Sequence, residues 1–471
     1  MRPRALLLVA VSGVIAAAIL DVVAPASPGV PEGVRMDPAT GAVACPFGTI
    51  GAAPAFVHLA NVAEEPAQVR VLVASDRGEN VLLNADLDAL STRTVRVSGR
   101  VKGNAAIFVD HAGGKVVASH SVWSSSRSSR GVAAGVCARA GDARIVLPHG
   151  STGVLGSTIA VANPGTADAD VTISLLREGQ RVTPESLTRR VVPARSRRLY
   201  RLSDFVFDSA DVTAILEVSA GRVVAEMSLG YASGLSFLGA SAPGRTVVQP
   251  LDATGDARVL SIAAIGEDEE AGLDARALRP DEQGRAPGVP PAIAPSSSVR
   301  LNVPSRLGDD ALAYALSVAA GSPISTAGSW RRTTRGGTDR ATIEGMAPAR
   351  RWAMVLAPVQ ASAETRALLV NDGAEPVQVT LTILGGDEPR TIEVVVPAGR
   401  IVTQRLGRGQ GTFAAHAIAD GPIVVAAVMN LGAPRHAVAG VPGVVLDPPS
   451  EVAVIRDARI GVPARVPEDD G

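Results

Sequence analysis

The chain has 471 residues, 46 % of them hydrophobic and only 3 % aromatic, with a formal net charge of −1. That length predicts three or four domains, with cores built mainly of Val, Leu, Ile and Ala. The balanced charge excludes a global field that would gather nucleic acid or an anionic membrane, and the near-absence of Lys beside many Arg reads as compositional bias.

Residues 1–26 read as a signal peptide or membrane anchor. Arg2 and Arg4 precede an apolar run from residue 5 to residue 20, the basic-then-apolar order of an export signal. Such a hydrophobic helix places everything after about Ser27 outside the cytoplasm, either secreted or on a single-pass, N-in anchor. The Pro-, Gly- and Ala-rich residues 27–40 read as a linker. Cys45 and Cys137 are the two cysteines. In an exported chain they predict a disulfide worth about 4 kcal/mol, two buried free thiols being the alternative.

From Ala44 onward the chain alternates apolar and polar residues, the period of half-buried antiparallel strands. Strands are predicted at 56–61, 68–75, 93–98, 104–109 and 115–122. This block then recurs. Asn61, Asn163 and Asn371 each end a strand and begin a turn, and Asn163-Pro164-Gly165 has type II turn chemistry. A Pro-Ala element follows at Pro193 and Pro397, and closing strands follow Gly114, Gly221, Gly321 and Gly421. The spacing of about 100 residues suits a sandwich better than a solenoid or propeller unit. It predicts repeats at 41–142, 143–244, 245–350 (degenerate, with acidic and Pro/Gly-rich inserts) and 351–450, then a strand and polar tail over 451–471. Pro-terminated strands mark each junction, and the sequence leaves open which neighbour owns them. It also leaves open whether the repeats form a rod or a closed ring.

The run G-S-T-x6-I-A-V-A-N-P-G from Gly150, with V-P-A-x-S-x-R-L and V-V-A-E after it, resembles a bacterial exported β-sandwich repeat. In that form it is similar to an uncharacterised actinobacterial family of N-terminally anchored or secreted proteins. The resemblance implies a fold and a location, and brings no catalytic residues. The fold class expected is all-β: tandem Ig-like antiparallel β-sandwiches after an N-terminal hydrophobic helix.

Catalytic and metal motifs are weak. His149-Gly150-Ser151-Thr152-Gly153 lacks a nucleophile elbow and reads as a junction turn. His111 and His120 flank one predicted hairpin, and read as structural rather than metal-binding. Asn84-x-Asp86-x-Asp88 lacks the Gly and Glu of a calcium loop and reads as a polar loop. Candidate surface contacts are Trp123, Arg127, Arg130 and His149, with Arg127 and Arg130 in a Ser/Arg stretch suited to an anionic envelope polymer. Trp330 and Trp352 are further candidates for sugar platforms or core.

These residues predict a non-enzymatic envelope structural or interaction protein with no cofactor. Its partner would be an envelope protein or polymer, with membrane contact only through an uncleaved N-terminal helix and no nucleic acid. A carbohydrate or cell-wall polymer binding module is the alternative.

Overall fold

The computed structural model describes residues 40–446 except 52, 76–77, 101–103, 126–129, 140–142, 154–155, 178, 232–233, 242, 253–256, 304–312, 335–336, 358–361, 387 and 433–436. The N-terminal helix expected over 1–26, the last strand expected near 452–462, and Arg127 lie outside the described residues. No described segment is α-helical; the described residues are mostly strand, with single 3-10 turns at Glu185–Leu187 and Leu202–Asp204.

The strands fall into four groups in chain order, each with eight positions. The first group runs Thr40–Thr49, Ala55–Asn61, Ala67–Ser75, Gly78–Leu87, Ser91–Arg96, Ala105–Ala112, Val116–Ser125 and Arg130–Arg139. The second opens with Arg144–Gly150, Ser157–Asn163 and Ala169–Arg177. Its fourth position is split between Gln180–Val182 and Arg190–Val192, and Ser196–Arg201, Val212–Ala220, Val224–Tyr231 and Gly234–Gly239 complete it. In the third, Gly244–Asp252, Ala257–Ala264 and Ala271–Leu278 precede a fourth position split between Gln283–Arg285 and Ala292–Ile293. Ser298–Val303, Ala313–Thr334 and Gly337–Glu344 follow. The fourth comprises Ala349–Leu356, Ala363–Asn371, Val377–Leu384, Arg390–Val396, Arg400–Arg408, Phe413–Leu431 and Val438–Pro442. In the last two groups one long strand fills positions six and seven.

Pairing is antiparallel and follows one order in every group: 4-3-6-1 in one half and 5-2-7-8 in the other. In group two the halves are separate sheets; in group one the first strand also pairs the eighth, and in groups three and four the long strand runs through both halves, so each of these makes one continuous sheet folded on itself. This corrects the immunoglobulin-like expectation. In that fold the first strand pairs the second and the seventh pairs the sixth. Here the first pairs the sixth and the seventh pairs the second. Alternation decides which face is buried and is silent about partner order. The junction strand pairs with the group that follows it, as Arg144–Gly150 pairs Val212–Ala220.

Between the two halves of the first group lies a core of Val43, Cys45, Val57, Leu59, Val71, Ile107, Val109 and Cys137. Its Cys45–Cys137 disulfide joins position one to position eight. Burial differs from strand to strand. Ser91–Arg96 and Ser196–Arg201 are largely exposed, whereas Ala55–Asn61 and Ser157–Asn163 are buried on both faces. The second face is buried against a neighbouring group. Ala44, Leu72, Ala74, Ala106 and Phe108 of group one pack on Ala162 and Val224 of group two. Val146, Leu176 and Ile215 of group two meet Ala263 and Ile265 of group three. Gly244–Asp252 of group three packs on Ala363–Asn371 and Phe413–Leu431 of group four. Ala353, Val355, Leu384 and Ala414 of group four return to Ala60, Val62 and Val117 of group one. The four groups therefore close into a ring, each lending its 4-3-6-1 sheet to the next group's 5-2-7-8 sheet. At the centre the four position-eight strands pack in sequence, Arg130–Arg139 on Gly234–Gly239, then Gly337–Glu344, then Val438–Pro442, and back.

The recurring asparagine is a clip. Asn163 Nδ2 donates to Ala167 O (2.8 Å) and Val192 O (2.9 Å), and its Oδ1 accepts from Gly165 N at 2.8 Å. Asn61 and Asn371 make the same three contacts. Gly165 is not left-handed, so the expected type II turn is corrected: the asparagine side chain supplies the turn bond instead. A left-handed residue before position five recurs at Leu90, Arg195, Ser296 and Gly399. Its N–H donates to Ala63, Gly165, Gly266 or Gly373 O in turn. Group three keeps this backbone tie although Ala264 stands where the asparagine would be.

Candidate functional site

Polar side chains concentrate at the group boundaries. His120 and Glu226 sit on equivalent strands of groups one and two, both almost wholly buried, with Nε2 and Oε1 2.8 Å apart. Glu226 Oε2 accepts from Phe47 N at 3.1 Å. The His120 ring lies 4.9 Å from that of Phe237, which stacks on Phe47. Gly135 makes room, because a Cβ there would strike the Glu226 carboxylate and the His120 ring. His58 contacts Thr94 Oγ1 and Ser121 Oγ, each at 2.9 Å. Burial, reinforced by His120, lowers its pKa to about 3.

Group three supplies two more buried acids. Asp339 accepts from Val438 N at 2.9 Å and Val132 N at 3.5 Å, tying three of the central strands together. Burial outweighs these bonds and pushes its pKa up to about 7. Glu344 faces Gly239; burial first, then repulsion from Glu226, raises it to about 7 as well.

At the boundary of groups two and three, His149 Nδ1 meets Ser261 Oγ at 2.7 Å, and Ser261 donates to Asp211 Oδ1 at 3.3 Å. Asp211 also accepts from Ser298 Oγ at 2.8 Å. A serine lies between the histidine and the acid, the reverse of a catalytic triad, where histidine must bridge. Ser261 is also sealed from solvent. Burial and the charges of Arg300 and Arg340 hold His149 well below the usual histidine range.

The candidate surface contacts divide. Trp123 is buried, its Nε1 donating to Ser121 Oγ at 3.1 Å, and His149 is buried with a left-handed backbone. Both are corrected from surface to interior, because each lies where one group covers another. Trp330 and Trp352 are likewise buried. Arg130 begins a position-eight strand. His111 and His120 lie on Ala105–Ala112 and Val116–Ser125, strands that do not pair with each other, so the expected hairpin does not form. Asn84 and Asp86 sit on a strand rather than in a loop. Among the described residues no three His, Cys, Asp or Glu side chains are placed to hold a metal. Sequence reasoning missed Glu226, Asp339 and Glu344, although each stands as an acid inside or beside an apolar strand.

One open feature lies on the outer rim between groups one and two. Ala74, Ser75 and Glu79 face Pro193–Arg198 across a cleft of about 410 Å³. Arg195 is fixed there by a bidentate pair with Asp110 (3.0 and 3.1 Å) and lies over the Phe108 ring. Arg197 donates to Pro46 O at 3.0 Å, and Arg198 is exposed.

A family described as being of unknown function, DUF5719, matches residues 98–406, about two thirds of the chain. The chain belongs to that family. No curated protein matches it. Among solved structures, the crystal structure of Thermotoga maritima 1070 is 17 % identical over 20 % of this chain and 93 % of that one, with a TM-score of 0.19. A tetra-tandem repeat in the extending region of a large adhesion protein is 12 % identical over 87 % of this chain and 100 % of that one, with a TM-score of 0.09.

Proposed function

We propose that the four strand groups are tandem β-sandwich repeats, at about 41–142, 143–244, 245–350 and 351–450, of a non-enzymatic structural or interaction protein of an actinobacterial cell envelope. The observation that carries this reading is how the acid–base side chains are used. His58, His120, His149, Glu226, Asp211 and Asp339 are engaged in buried or half-buried hydrogen bonds, most of them ties between neighbouring strand groups. The Cys45–Cys137 disulfide supports an oxidising, extracytoplasmic location. On this reading the N-terminal apolar run anchors or exports the chain, and the partner is an envelope protein or polymer. Protease added outside intact cells should digest residues 40–446 while a cytoplasmic marker survives; protection of the ring would overturn the location. The alternative, a glycan-binding module, no longer rests on tryptophan platforms. The arginine-lined cleft favours it instead.

A further inference from the structure

Each group hands the chain on at the same interval. Arg139, Gly239 and Glu344 end their strands five residues before Arg144, Gly244 and Ala349 begin the next group. After Val444–Val445 the next group in the ring is group one, whose first strand, Thr40–Thr49, already pairs with Ala105–Ala112. The segment beyond therefore cannot take the place its predecessors took. It still carries the apolar run V-A-V-I-R-D-A-R-I-G-V over 452–462, with Arg456 and Arg459 inside it. Residues 447–471 lie outside the described residues.

The chain leaves the ring beside an open corner of group four. Leu446 N donates to Arg351 O at 2.9 Å, and Arg351 pairs Ile418. Along Phe413–Leu431, Ala415, Ala417 and Ala419 are buried, whereas Ile418 and Asp420 alternate with them and are exposed. Register carries this open face across three strands, because Ile418 pairs Thr380, Thr380 pairs Glu393 and Gln378 pairs Val395. Asp110 and Glu217 stand at the position of Ile418 in groups one and two, pairing Arg70 and Thr172. Both are tied toward the following group, Asp110 by Arg195 and Glu217 through Arg181, which also holds Glu267. Ile418 replaces that charge with an apolar side chain left 43 % exposed, and Val395 is 54 % exposed. Beside them Pro376, Asp420 and Pro422 line a cleft of about 380 Å³. Among the described residues Glu393 and Asp420 accept only from the neutral donors of Thr380 and Gln378.

We propose that the chain's own C-terminal segment docks over this corner, with residues 452–462 covering Ile418, Val395 and the Pro376–Pro422 cleft and with Arg456 and Arg459 drawn to Glu393 and Asp420. The contact is intramolecular and stands apart from the envelope reading. Ile418 lies two strands from Leu446, about 10 Å, and the five residues 447–451 reach up to about 17 Å. Covering Ile418 and Val395 takes apolar surface out of water. Surface ion pairs add little by themselves, so the apolar contacts hold the segment and the charges orient it.

The test is limited trypsin digestion of the full-length protein in detergent, read by intact mass, with I418E beside the parent. Cleavage after Arg456 and Arg459 should be slow in the parent and at least about tenfold faster in I418E, because a carboxylate set into an apolar contact opens it. In a chain ending at Leu446, I418E should leave the urea midpoint unchanged, which separates a lost contact from a damaged fold. Equal cleavage in the parent and I418E, fast or slow, overturns the proposal. So does protection that disappears on dilution, which would seat the segment on a second copy. A midpoint that I418E lowers equally in both chain lengths overturns it as well, since Ile418 would then serve the ring alone.

Discussion

At the scale of single residues, the ring is held by polar side chains that sealed interfaces would ordinarily exclude. Each clip asparagine satisfies two carbonyls and one N–H in the interior, and Asn163 and Asn371 are fully buried. Removing such a side chain strands its partners, so N163A and N371A should each cost about 2–3 kcal/mol by urea unfolding. The buried acids behave differently. The fold favours protonated Glu344 and Asp339, whose pKa values rise to about 7. Their contribution is complete below the ordinary carboxylate range and is lost as pH rises to about 7. The neutral histidines oppose this. His58 and His111, lowered to about 3 and about 4, contribute above pH 6.5 and lose that contribution as pH falls. E344Q keeps the shape of the protonated acid and removes its titration. It should therefore gain stability over the parent between pH 4.5 and 8, read as a widening gap in urea midpoints. A constant gap would show that Glu344 ionises freely in the fold.

At the scale of strands, the legible and the illegible parts of the fold have one cause. Period-2 alternation is visible where one face meets solvent, and an outer strand such as Arg390–Val396 shows it. The inner strands carry apolar residues on both faces, as in A-F-V-H-L-A-N, because a second sheet covers them from another group. One sequence carries no mark of which distant strand provides that cover. The same limit hid the site. Glu226 is visible in V-V-A-E-M-S-L, but His120 lies 106 positions away and meets it only through ring geometry. The cysteine pair was legible because its partners are unique, and it joins the first strand of group one to the eighth. Intact protein should not label with a thiol reagent before reduction, and C45A/C137A should lose about 3–4 kcal/mol. The eighth strand is also where backbone must approach side chain. G135A should displace the Glu226 carboxylate and lower the thermal midpoint more than A134G, a change on the same strand that crowds nothing.

At the scale of the whole molecule, closure changes what a repeat is. A free-standing sandwich buries one face of each sheet, whereas here the inner strands of the first group have apolar side chains on both faces. An isolated group would leave those second faces in water, which disfavours both its stability and its solubility. Unfolding should therefore be one cooperative transition for residues 40–446, with calorimetric and van't Hoff enthalpies in agreement, rather than four independent ones. The contact most informative to break is that between groups four and one, because no chain connection reinforces it. V355D places an unpaired charge among Ala60, Val62, Val117 and Leu384, at a cost of several kcal/mol. If closure is what couples the groups, V355D should split the calorimetric transition and enlarge the radius of gyration in solution scattering, while the disulfide-stapled first group persists. A variant that lowers the midpoint yet still melts in one step with unchanged size would show that the three chain-connected boundaries suffice for cooperativity, and that the fourth contact follows from them.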